Sequence, residues 1–148
     1  MAADSSPVSF APMETAPSSR ASGTRWWVLA WAPAIAWAAL IFGASAQPDL
    51  TFVPDAGLDF AVRKLGHMAV FGILALLLWR AIAATTRLRR PWAWAIVLAI
   101  LYAITDEMHQ GLVSGRHAAP VDVLIDAAGA LIAVAIVQGT IRWRARRR

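Results

Sequence analysis

The chain is 148 residues long, with a formal net charge of +5, 59% hydrophobic residues and only 16% charged ones. A water-soluble domain of that size carries about a quarter charged residues, so a soluble globular protein is excluded. The lack of cysteine also excludes a disulfide framework and Cys-ligated zinc.

The first 24 residues are rich in Ala, Ser and Pro and contain no apolar block; they are expected to be a disordered cytoplasmic tail, with the transmembrane domain spanning 25–142. Apolar residues then run in four blocks, 26–46, 61–84, 92–112 and 121–141. Each approaches the roughly 20 residues that cover a hydrocarbon core of about 30 Å. Lipid offers a backbone no hydrogen-bond partners, so each block must close its own ladder as a helix. The predicted fold class is therefore all-α, a polytopic antiparallel bundle of four transmembrane helices.

The first helix contains Pro33, which removes a ladder bond, and ends at Ala44-Ser45-Ala46. That small-residue ending has the form of a signal-peptidase site, but the block is longer than a signal core and the tail before it is long, so the helix is expected to remain. The third helix opens on Pro91, a residue suited to a first turn. The connection from Gly111 to Pro120 is short, which makes helices three and four a hairpin. In helix four, Ala127, Ala128, Gly129 and Ala130 permit close approach of a neighbouring backbone. Residues 143–148 form a basic tail, expected in the cytoplasm.

Charge placement sets the expected orientation. Arg20, Arg25, Arg80, Arg87, Arg89, Arg90, Arg142, Arg144, Arg146, Arg147 and Arg148 are eleven of the fourteen basic residues, and all fall in alternate gaps. The positive-inside rule assigns those gaps to the cytoplasm, and the loops 47–60 and 113–120 to the outside. Asp49, Asp55 and Asp59 lie in the first of these outward loops. Trp26, Trp27, Trp79, Trp92, Trp94 and Trp143 fall at the same cytoplasmic helix ends, where amphipathic rings prefer to sit. Attraction to anionic lipid accounts for the basic residues, so membrane lipids are the expected partners and nucleic acid is not.

The remaining polar residues are poorly placed for lipid. Lys64 and His67 share a face near the outward end of helix two. Asp106, Glu107, His109 and Gln110 stand near the outward end of helix three, Arg116 and His117 in the outward loop, and Asp122 and Asp126 one turn apart at the start of helix four. Counted from Trp92 at about 1.5 Å per residue, Asp106 lies roughly 21 Å across the membrane. Ionisable groups within a span face the bundle interior and pair with one another. Charge brought to one depth by three helices thus predicts a shared site made of Lys64, His67, Asp106, Glu107, Gln110, Arg116, Asp122 and Asp126. Asp106 and Glu107 point about 100° apart, so that one is expected to meet helix two and the other helix four. Arg116 has the fork to hold a phosphate or carboxylate. Arg63 is expected to snorkel to the outer headgroups, and His109 and His117 to be interfacial. A structural ion-pair cluster is the plainer reading, but four carboxylates against two fixed cations leave it unbalanced.

The string Lys64-x-x-His67-x-x-x-Phe71, Asp106-Glu107-x-x-Gln110, Arg116 and Asp122-x-x-x-Asp126-x-x-Gly129 resembles the VanZ-like family of small bacterial membrane proteins, as does Ser45-Ala46-Gln47 after the first helix. The resemblance covers about residues 35–135. The chain departs from it at Asp126, where many members carry Asn. The family is named for a member associated with reduced susceptibility to teicoplanin, a glycopeptide that binds cell-wall precursors outside the membrane. The resemblance implies a cell-envelope protein of the bacterial cytoplasmic membrane and carries over no reaction, catalytic residue or cofactor.

Three functions fit these residues. The first is a binding protein whose outward site takes a lipid-linked cell-wall precursor or an amphiphilic glycopeptide. In the second, an intramembrane hydrolase or transferase acts on lipid phosphates through a metal held by the four carboxylates, with His67 as acid or base. The third is a proton-coupled carrier, which four helices would form only as an oligomer.

Overall fold

A computed structural model describes residues 20–47, 54–114 and 118–148. Four α-helices make up the fold: α1 (Arg20–Ser45), α2 (Ala56–Thr85), α3 (Pro91–Gln110) and α4 (Pro120–Arg146). Each is long and apolar enough to cross a membrane, and no strand occurs among the described residues. The chain is a multi-pass membrane protein.

Local chemistry sets the helix ends. α2 begins where Asp55 accepts a hydrogen bond from the Leu58 amide at 2.8 Å, an N-cap that starts the helix five residues before its apolar block. α3 and α4 each open on a proline at the first helical position, where a missing N–H leaves nothing unsatisfied. α1 runs through Pro33 without interruption. α4 continues through Arg146, so most of the basic terminal stretch extends the last helix.

Consecutive helices alternate in direction, which makes α2 and α4 parallel, and these two share the most extensive contact. Small residues allow it. A Cβ built on Gly129 would be driven into the backbone of Met68, 2.6 Å from its Cα, and one built on Gly72 would lie 3.2 Å from the Gly129 carbonyl oxygen. The interface therefore runs in parallel register, with Met68 and Gly72 against Gly129. α3 packs against both α2 and α4. α1 is peripheral, lying mainly on α2, with a few contacts to α3 and none to α4 among the described residues.

The core has two layers. Ile41, Phe71, Leu74 and Ala103 fill the half nearer the start of α2 and the end of α3, and Ala75, Ala99, Ala130 and Val134 the other. Membrane association draws on packing and hydrogen bonds more than on apolar burial, and α1 is fastened accordingly. Trp37 Nε1 donates to the Val70 carbonyl at 2.9 Å, Tyr102 donates to the Ala38 carbonyl at 2.6 Å, and Trp31 Nε1 donates to Thr85 Oγ1 at 3.1 Å. Arg80 donates to the carbonyls of Leu29 and Ala30.

Candidate functional site

The parallel register of α2 and α4 lines up their polar residues in two rows. Lys64 and Asp122 form the outer row, joined by an ion pair. His67 and Asp126 form the inner row, with Nδ1 and Oδ1 3.3 Å apart. That separation suits an ion pair once the imidazole is protonated, yet the two atoms are not aligned as donor and acceptor, and neither has a hydrogen-bond partner. The i,i+3 step on α2 and the i,i+4 step on α4 put successive pairs on facing stripes. Below them, the fully buried Phe71 ring lies nearly parallel to His67, with centroids 6.5 Å apart, and forms the floor.

α3 contributes two acids, which diverge. Glu107 accepts a hydrogen bond from the Ala119 amide, just before α4, and so ties the α3–α4 connection shut. Asp106 turns toward α1. Its Oδ2 accepts from Ser45 Oγ at 2.9 Å and from Gln110 Nε2 at 2.8 Å, and Gln110 also reaches Ser45 Oγ at 3.3 Å. The expected split of the two acids between helices two and four therefore holds for Glu107 and is corrected for Asp106. α2 and α4 already satisfy each other along the Gly72–Gly129 seam, and the free side of Asp106 is the one that α1 covers.

Ser45, 4% exposed, is the site residue missed by reasoning from charge. A serine ending an apolar block, and the Ser45-Ala46-Gln47 pattern, were the signals available. Arg63 extends toward the start of α2. It reaches back one turn to the buried Asp59 at 3.0 Å. His109 stacks on Phe42 of α1, with centroids 4.3 Å apart, and its Nε2 is buried without a partner. Arg116 and His117 lie outside the described residues, as does Asp49.

These groups form one cluster. His67 lies within electrostatic reach of Asp126, Asp106 and Lys64, and Glu107 within reach of Asp122, Asp126 and His67. Asp106 and Asp126 are each 2% exposed, whereas the side chains of Lys64 and His67 are 24% and 29% exposed. The cluster is thus a buried acidic interior with a partly open basic rim. Its four carboxyl groups face one fixed cation among the described residues. Asp106 Oδ1 and Asp126 Oδ1 are buried with no hydrogen-bond partner. Among the described residues, no three His, Asp or Glu side chains are arranged to hold a metal ion.

A family model described as VanZ/LLP1 matches residues 9–142. No curated protein and no solved structure matches the chain.

Proposed function

The chain belongs to the VanZ/LLP1 family, matched over nearly its whole length, and from that premise we propose that the polar cluster binds the headgroup of an amphiphile from the outer leaflet of the bacterial cytoplasmic membrane. The headgroup is that of a lipid-linked cell-wall precursor; an amphiphilic glycopeptide offers the same groups. Both termini lie in the cytoplasm, because the basic residues gather at that end of the bundle.

The observation that carries this reading is Asp106 Oδ1, a buried carboxylate oxygen that accepts no hydrogen bond, beside Asp126 Oδ1, which meets only His67 Nδ1 at 3.3 Å without hydrogen-bond geometry. A buried charged acceptor without a donor is costly. A ligand that brings hydroxyl or amide hydrogens relieves that cost, and sugars and peptides carry many of both. Lys64 at the rim and Arg116 in the outward loop supply positive charge for a phosphate or carboxylate on the same headgroup. A purely structural cluster would be expected to satisfy its own acceptors.

The test is binding of a purified lipid-linked cell-wall intermediate to the protein in nanodiscs. Asp106→Asn, Asp126→Asn and Lys64→Ala are each expected to weaken binding by about tenfold, which corresponds to about 1.4 kcal/mol. Leu112→Ala, at an exposed position beyond α3, should leave it unchanged. Wild-type affinity in all three cluster variants would reject the proposal.

A further inference from the structure

At the opposite end of the bundle, a cavity of about 460 Å³ opens at the start of α3, lined among the described residues by Arg89, Arg90 and Trp94. Four other described arginines have identifiable company. Arg80 is bonded to α1 carbonyls, Arg63 is paired with Asp59, Arg142 donates to Gln138, and Arg147 lies over the Trp143 ring at 3.9 Å. Among the described residues, no acidic side chain stands near Arg89 or Arg90. The described acids are Asp55, Asp59, Asp106, Glu107, Asp122 and Asp126, all at the far end of the helices.

The cavity also sits at a helix N-terminus that no side chain caps, with Arg90 itself in the capping position and Pro91 after it. Partial positive charge from the helix adds to that of two guanidinium groups. The half-exposed indole of Trp94 belongs to a residue type that settles at the level of lipid headgroups.

We infer that this cavity is a discrete binding site for the phosphate of an anionic phospholipid in the leaflet covering that end of the protein. Guanidinium forks match phosphate oxygens in a bidentate manner, and the apolar surfaces of α3 below continue into the hydrocarbon, where the lipid tails lie. The site is separate from the polar cluster and independent of any ligand bound there.

The test uses the full-length protein in neutral detergent, titrated with phosphatidylglycerol and followed by native mass spectrometry. One saturable adduct is expected, weakened about tenfold or more in Arg89→Ala/Arg90→Ala, since a basic residue near a charged surface contributes about 1 kcal/mol. Arg144→Ala/Arg146→Ala removes the same charge outside the cavity and is expected to change binding by less than about twofold. Equal losses in both double variants would overturn the site in favour of diffuse attraction. Displacement of the lipid by millimolar inorganic phosphate would overturn the lipid assignment in favour of a soluble phosphate. If the alanine pair fails to fold, Arg89→Lys/Arg90→Lys keeps the charge and removes the forks; a loss of about fivefold is expected there, and wild-type affinity would overturn the inference.

Discussion

Asp106 is held at one oxygen by Ser45 and Gln110 and left bare at the other, and this asymmetry separates its two tasks. The bonded oxygen fastens α1 to α3, while the bare one is the acceptor on which the proposed headgroup binding rests. Removing the Ser45 hydroxyl strips a donor from a buried acceptor, so Ser45→Ala is expected to destabilise the protein by about 1–3 kcal/mol, read from its unfolding in mixed micelles. The double variant Ser45→Ala/Asp106→Asn should cost less than the sum of the two singles, because the carboxylate that suffers from losing the hydroxyl is then neutral. Additive costs would mean that the two residues act separately. Gln110 lies three residues from Glu107 and four from Asp106 on one helix, spacings that allow either acid as its partner, and the structure selects Asp106. Ser45 is sixty-one residues away, and no helical periodicity could relate the two.

At the scale of elements, the site exists because α2 and α4 lie close together in parallel. The closeness rests on Gly129, where any side chain would be forced against the backbone of Met68 rather than against a flexible group. Gly129→Ala is expected to cost about 3 kcal/mol or to prevent folding, the upper end of what overpacking does. Gly66→Ala, on the same helix as Met68 but with open space around it, should change stability by less than about 0.5 kcal/mol. Thermal unfolding of the two variants side by side is the measurement, and equal effects would disprove the close approach. Moving α4 outward would also separate Lys64 from Asp122 and His67 from Asp126, so a partly folded Gly129→Ala protein should lose headgroup binding along with stability. The small-residue run in helix four predicted close approach to some neighbour. It did not say that the neighbour is α2, because the helix adjacent in sequence is α3.

At the scale of the whole molecule, charge is divided between two ends: all the described acids at one, most of the arginines at the other. That division underlies the proposed orientation, and the absence of native cysteine makes it directly testable. A cysteine at Leu112, 85% exposed, should react in intact cells with a membrane-impermeant maleimide. One at the exposed Leu88, between α2 and α3, should react only after the membrane is opened. The reverse pattern would invert the topology and put the polar cluster on the cytoplasmic side.

The sequence by itself determined that four helices cross the membrane, where their ends fall to within about six residues, and that charge collects at one depth on three of them. Those properties follow from what hydrocarbon requires of a backbone and of ionised groups, and lipid imposes those requirements on every segment independently. Only the tertiary structure decided the pairings: Lys64 with Asp122, His67 beside Asp126, Glu107 on the Ala119 amide, and Asp106 turned to Ser45 on the peripheral helix. Each pairing depends on which helices touch and in what register. Shape complementarity at the Gly72–Gly129 seam sets that register, and complementarity of shape is a property of two surfaces together that neither segment displays alone.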